Sequence, residues 1–199
     1  MGFSFALCSL NFYIMSTLII TILAIATVII LYIIGVFNGL IRLKNRVKEA
    51  WADIDVQLKR RYDLIPNLIE TVKGYMSHES EVFQKVTEAR TKAISATGAE
   101  SKAQAENMLS GALKTLFAVS ENYPQLRASE NFLKLQEELS DTENKIQAAR
   151  RFYNNNVMDF NTRQEVFPSN LIALIFGFSK AEFFELKEES QREAPKVNF

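Results

Sequence analysis

An uncharged, apolar segment near the amino terminus constrains the fold of this chain more than any other feature. No charged side chain occurs between Met1 and Ile41, and "FYIMSTLIITILAIATVIILYIIGVF", from Phe12 to Phe37, is an apolar run. As an α-helix this run would be about 39 Å long, whereas the hydrocarbon core of a bilayer is ~30 Å thick. The sequence therefore predicts a transmembrane helix at 12–37, preceded by a short extracytoplasmic segment at 1–11.

Two other interpretations of the amino terminus fit the sequence less well. A cleaved signal peptide has a basic n-region and an h-region of about 7–15 residues, and this run meets neither condition. A myristoylation signal needs Ser or Thr where Ala6 stands, and a lipidated cysteine needs a small residue where Leu7 stands. We therefore expect the helix to be retained. Cys8 is the sole cysteine, which excludes an internal disulfide and a cysteine zinc site.

Cations follow the apolar run at once and predict its orientation. Residues 42–61 carry seven Lys or Arg and three carboxylates, although the whole chain has a net charge of zero. The positive-inside rule places this side in the cytoplasm and the amino terminus outside. The first four cations define a basic collar that anionic lipid headgroups would attract, namely Arg42, Lys44, Arg46 and Lys48. A nucleic-acid partner is not expected, because Trp51 is the only aromatic residue of 42–61.

Beyond the apolar run the chain is predicted to be all-α. Prolines divide it into long pieces, and strand signals are absent, so we expect helices from the membrane to about residue 62 and at about 66–95, 100–122 and 125–166. Apolar residues recur at spacings of three and four in these pieces. Four such stripes must bury one another, which predicts that the membrane helix continues into an antiparallel four-helix bundle at 38–167. In the last piece the stripe is Phe132, Leu135, Leu139, Thr142, Ile146, Ala149, Tyr153, Val157 and Phe160.

The densest group of reactive side chains lies in "KRRYDLIPNLIETVKGY", residues 59–75. Pro66 is tolerated in the first turn of a helix, where its missing N–H loses no partner. We therefore interpret this stretch as the corner between the first two helices. On that interpretation Lys59, Arg60 and Arg61 would lie at the negative end of the first helix dipole.

The same stretch carries a resemblance to a known family. "NRVKEAWADIDVQLKRRYDLIPNLIETVKGY" at 45–75, "ENKIQAARRFYNNNVMDFNT" at 143–162 and "FPSNLIALIFGF" at 167–178 resemble the LemA family of bacterial membrane proteins. The resemblance implies a bacterial inner-membrane protein with a single span and a bundle of long helices. It carries over no catalytic residues. It also implies membrane scaffolding or adaptor work, since some relatives are associated with membrane metalloproteases of the HtpX type and one branch with magnetosome membranes.

The sequence gives little support to an enzyme. His78 is the sole histidine, so neither a His-Glu-x-x-His zinc site nor paired Glu-x-x-His motifs are possible. A GxxxxGK[ST] phosphate loop and a GxSxG elbow do not occur. We therefore expect no catalytic, metal or cofactor site. The acidic group at 137–143 and His78 are both expected to be solvated.

Two features stand out from this helical background. Gly35 and Gly39 form a small-xxx-small pair that could let two membrane helices approach closely. The tail, residues 168–199, is apolar and then acidic, and the bundle topology returns its start to the bilayer. It could fold back on the bundle, lie in the membrane interface or dock on a second protein. The residues predicted to make such contacts are Leu171, Ile172, Ile175, Phe176 and Phe178.

The leading functional hypothesis is a non-enzymatic, membrane-anchored scaffold or adaptor that presents its cytoplasmic bundle to another membrane protein. The alternative is a homo-oligomeric protein that shapes the membrane by self-assembly.

Overall fold

The computed structural model describes residues 2–185, and its side chains at residue 13 and from residue 15 onward. Within this part the chain is helical with no strand, which confirms the all-α prediction. The acidic carboxyl end, with Glu188, Glu189 and Glu193, lies outside the described residues. The helices are α1 (Gly2–Lys73), α2 (Ser80–Ser95), α3 (Ala99–Ser120), α4 (Pro124–Arg127), α5 (Glu130–Glu165) and α6 (Ser169–Ile175).

Helix α1 is one unbroken element of 72 residues, so the predicted corner at 62–66 is wrong. The chain turns at residues 74–79 instead, beginning with Gly74. Lys59 lies within the helix and pairs with Asp63 at 2.8 Å, one turn further on, rather than with a helix terminus. The structure therefore joins the apolar segment to the bundle with no linker between them.

Pro66 lies inside α1, and a residue of α2 compensates for it. A proline has no N–H to donate to the carbonyl oxygen four residues earlier, which here belongs to Tyr62. Arg90 Nε donates a hydrogen bond of 2.8 Å to that oxygen. The Tyr62 carbonyl therefore has a hydrogen-bond donor, supplied by a residue of α2 that is 28 positions further along the sequence.

The long helices pack as two antiparallel pairs. Helices α1 and α5, which are not consecutive in the chain, form the longer pair, with Arg60 beside Asp141 at one level and the Trp51 ring 5.3 Å from that of Tyr153 at another. Helices α2 and α3 form the shorter pair, a hairpin that lies against α1 near Tyr62. Its turn uses Gly98, whose φ of 84° favours glycine.

The core follows the predicted stripes. In α5 the stripe from Phe132 to Phe160 is buried, apart from Leu135 and Ala149, which are partly buried. In α1 the apolar residues Val47, Ile54 and Leu58, which follow one another at spacings of seven and four, are also buried. The hydrophobic core thus runs along the α1–α5 seam and widens where α2 and α3 join it.

Candidate functional site

The tail packs against α1 where the apolar run ends. The rings of Phe37 and Phe176 are 4.9 Å apart, and those of Phe37 and Phe178 are 5.9 Å apart. Lys44 of the collar lies over Phe178, with its Nζ 5.9 Å from the ring centre. One face of the tail therefore folds back on the protein, as one of the three predicted alternatives requires.

The other face of α6 is uncovered. Of the predicted contact residues, Ile172 is buried and Phe178 is partly buried, whereas Leu171, Ile175 and Phe176 are exposed. Leu174 is 80% exposed and Phe167, just before α6, is 79% exposed. The structure thus divides the predicted contact residues into an inner face that packs on α1 and α5 and an outer apolar face.

Two asparagines of α5 hold the backbone that follows α6. Gly177, with a φ of 67°, ends the helix and reverses the chain. Asn161 then donates to the carbonyl of Ala181 and accepts from its N–H, both at 2.9 Å. Asn154 accepts the N–H of Phe184 at 2.8 Å and donates to its carbonyl at 3.4 Å. We call Asn154 and Asn161 the asparagine clamp.

The clamp closes over an aromatic cluster. The Phe184 side chain is buried, with its ring centre 5.9 Å from that of Trp51. The guanidinium of Arg150 stacks on Phe184 at 4.4 Å. Tyr153 donates a hydrogen bond of 2.8 Å to the carbonyl of Glu182. The clamp could not be predicted from the sequence because its partners are backbone groups, although a spacing of seven does put both asparagines on one helix face.

The predicted collar and glycine pair lie at the same end of the protein as the tail. The collar cations are exposed. Gly35 and Gly39 have no heavy atom within 4 Å of the position that a Cβ would occupy. The tail therefore packs on the Val36 and Leu40 side of α1, which leaves Gly35 exposed and Gly39 partly buried. Self-association through these glycines stays a prediction.

A buried ionic network joins α1 to α3 and α5. Arg61 is only 2% exposed. It lies inside α1 and not at the helix end where it was predicted. Its guanidinium pairs with Glu106, with Nη2 and Oε2 3.2 Å apart, and also with Glu143. It donates a further hydrogen bond of 2.8 Å to the hydroxyl of Ser110. The sequence contained one signal for this burial, since Arg61 follows Ile54 and Leu58 on the same buried stripe, but its partners lie on helices distant in sequence.

Tyr62 extends this network to the α2–α3 hairpin. Its hydroxyl donates to Glu106. Burial, and then the hydrogen bond to Glu106, raise the pKa of the Tyr62 hydroxyl far above its usual value. The group therefore stays protonated and remains a hydrogen-bond donor across the physiological pH range.

An open polar cleft lies above Arg61, between α3 and α5. Its volume is about 760 Å³. Glu143 and Arg150 line it at one side, and Arg150 connects it to the tail through Phe184. The remaining lining is mostly neutral and polar, and includes Asn107, Ser110, Gln136, Ser140 and Asn144.

His78 and the acidic group at 137–143 belong to different parts of the fold. Among the described residues, no group of three His, Cys, Asp or Glu side chains could hold a metal ion. His78 is exposed in the α1–α2 turn. In the acidic group at 137–143, Glu137, Glu138 and Asp141 are exposed as predicted, whereas Glu143 is partly buried and pairs with Arg61.

Comparisons with known proteins place this architecture in a family. The chain is 29% identical over 160 residues to Protein LemA of Metamycoplasma hominis, covering 78% of this chain and 71% of that protein. It is 22% identical over 177 residues to Magnetosome protein MamQ 2 of Paramagnetospirillum magneticum, covering 76% of this chain and 65% of that relative. The chain therefore spans just under two thirds of the magnetosome protein's length.

The family model covers most of the architecture described above. The LemA family model matches residues 50–199, which include the buried arginine network, the polar cleft, the asparagine clamp and α6. The candidate membrane-spanning segment precedes the matched region, in the only helix of the described residues that is long and apolar enough to cross a bilayer. By this match the chain belongs to the LemA family.

Proposed function

We propose that this membrane-associated LemA family protein is a non-enzymatic scaffold that holds a docking surface at a fixed height above the membrane. The observation that carries the proposal is the continuity of α1. Arg61, at the floor of the polar cleft, is 24 residues beyond Phe37 on the same helix, or about 36 Å along its axis. A continuous helix that is packed along its length keeps this distance fixed, as an adaptor requires.

The proposed topology follows the charge distribution. The exposed collar cations face the cytoplasm of a bacterial inner membrane, and the amino terminus lies outside. The cleft then faces the cytoplasmic part of another membrane protein. A membrane metalloprotease of the HtpX type is the first candidate partner, on the strength of the family resemblance.

The polar cleft is the surface best suited to that partner. It is open, and it combines neutral hydrogen-bonding side chains such as Asn107 and Gln136 with the charged groups of Lys114, Glu143 and Arg150, so it can pair with polar groups of a partner. Its floor is held in place by the network of Arg61, Glu106 and Glu143, so that it need not rearrange on binding.

The test is purification of the full-length chain from its own membranes in mild detergent, with measurement of particle mass and composition. We expect a small particle that contains a second membrane protein in fixed ratio. Ser140→Trp fills the cleft and should remove that protein, whereas Ser101→Trp, at an exposed serine of α3 outside the cleft, should not. Retention of the partner by the Ser140 variant would contradict the proposed docking surface.

The second candidate function is self-assembly that shapes the membrane. The exposed Gly35 and the partly buried Gly39 favour it, because small residues let helices approach closely in lipid and no neighbouring side chain fills the space beside them. It predicts a large particle that contains this chain alone and that shrinks on Gly35→Leu. The hypothesis would be excluded if the unsubstituted protein formed only a small particle and Gly35→Leu did not change its size.

A further inference from the structure

We infer that the segment from Val166 to Ser179 is a second membrane contact of this protein, with the outer face of α6 lying among lipids at the bilayer interface. The segment contains no charged residue. This segment and the amino-terminal run are the two longest uncharged stretches of the sequence. The structure brings the end of the run and the segment into contact. The inference goes beyond the proposed scaffold function and does not depend on it.

The position of α6 is fixed by its contact with α1. The Phe176 ring lies 4.9 Å from that of Phe37, the last residue of the apolar run. Helix α6 has seven residues and is therefore only about 10 Å long. Every residue of α6 therefore lies close to the depth at which α1 leaves the hydrocarbon core of the bilayer, whichever side of the membrane the bundle faces.

The outer face of α6 and Phe167, which precedes the helix, expose a cluster of large apolar side chains. Phe167, Leu174 and Ile175 are 79%, 80% and 75% exposed, and Leu171 is 51% exposed. The opposite face, with Ile172 and Ala173, is already packed against the protein. A cluster of four large apolar side chains at the end of a candidate membrane span is therefore placed where lipid covers it.

Charges at the edges of the segment match a lipid headgroup region. Lys180 pairs with Glu165 at 2.5 Å, and this ion pair joins the two ends of the uncharged segment. Arg42 of the collar and Arg163 of α5 are exposed at the same end of the protein. Exposed cations beside an apolar surface attract anionic headgroups, so the charges at this end of the protein are complementary to an anionic bilayer surface.

The membrane contact is tested by fluorescence quenching in the full-length protein. In a Cys8→Ser background, Leu174→Cys or Ile175→Cys carries a single environment-sensitive fluorophore, and Ser101→Cys is the control. Each variant is reconstituted into phosphatidylcholine–phosphatidylglycerol vesicles with or without a doxyl-labelled phosphatidylcholine. The labelled positions are exposed, so the fold should tolerate them, and circular dichroism checks that helix content is unchanged.

We expect lipid-borne doxyl groups to quench the labels at 174 and 175 but not the label at 101. Aqueous iodide should quench the first two at least about fivefold less than the control, because a face buried ~5–10 Å into the headgroup boundary excludes it. Equal iodide quenching at all three positions would place α6 in water and overturn the inference. Shielding from both quenchers would also overturn it, since protein would then cover the face, and a disulfide between two Leu174→Cys chains would identify that protein as a second copy.

Discussion

Arg61 shows how one residue connects three helices. Its side chain is almost wholly buried between Glu106 and Glu143, on helices 45 and 82 positions away in sequence. A buried charge is tolerated only while its partners remain, so the network makes the packing of α1, α3 and α5 mutually dependent. The spacing of four and three from Ile54 to Leu58 to Arg61 puts this cation on the buried stripe, whereas its partners Glu106 and Glu143 could not be predicted because they lie on other helices.

Loss of Arg61 should therefore be costly. We expect Arg61→Met to lower the free energy of unfolding by about 3–5 kcal/mol, because Glu106 would stay buried without its cation. The double variant Arg61→Met with Glu106→Gln should be less destabilised than the single variant. Denaturant unfolding of the full-length protein in detergent, followed by circular dichroism, measures both.

The neighbouring cation provides a matched control for that measurement. Arg60 is exposed and its pair with Asp141 is 3.6 Å long, so Arg60→Met should change the free energy of unfolding by no more than about 1 kcal/mol. Equal losses at positions 60 and 61 would contradict the special role of the buried network.

At the scale of elements, the helices and their buried faces could be predicted from the sequence, whereas the position of the turn after α1 could not. Periodicity identified the stripe of α5 and the bounds of α3 within two residues. Pro66 was misplaced because local chemistry predicts a helix start, whereas Arg90 of α2 repairs the hydrogen-bonding defect at a distance. The clamp contacts were likewise not predictable, because Asn154 and Asn161 bind backbone groups, which every residue carries.

The pairing of Pro66 with Arg90 can be tested by a double-mutant cycle. Arg90→Met should destabilise the protein by about 1–3 kcal/mol, since it leaves the Tyr62 carbonyl without its donor. In a Pro66→Ala background the restored N–H replaces that donor, so the same substitution should cost less. Thermal or denaturant unfolding of the four proteins gives the coupling, and additive effects would contradict the compensation.

The asparagine clamp should control the mobility of the tail. Asn161→Ala removes two hydrogen bonds to Ala181, and we expect faster amide hydrogen exchange at residues 178–184 with α5 itself unchanged. Asn155→Ala is the control, because Asn155 is an exposed neighbour on the same helix. Similar exchange in both variants would show that aromatic packing around Phe184 holds the tail without the clamp.

The whole molecule is a rod more than a globule. Helix α1 ends at Lys73, 36 residues beyond Phe37, so it should extend about 54 Å from the end of the apolar run. Neutron reflectometry of the protein in a supported bilayer should detect a protein layer of about this thickness, less any shortening by tilt. A layer only about 20 Å thick, near the width of two packed helices, would mean that the bundle lies flat on the membrane.

The unbroken α1 helix also makes the protein a lever. Transmembrane helices tilt by about 20° on average and change their tilt with bilayer thickness. Because α1 passes into the bundle without a hinge, such a tilt about Phe37 would carry Arg61 sideways by about 12 Å, given the 36 Å between them. A change in lipid thickness that alters the tilt of α1 would therefore also displace the cleft laterally, by an amount that grows with the 36 Å between Phe37 and Arg61.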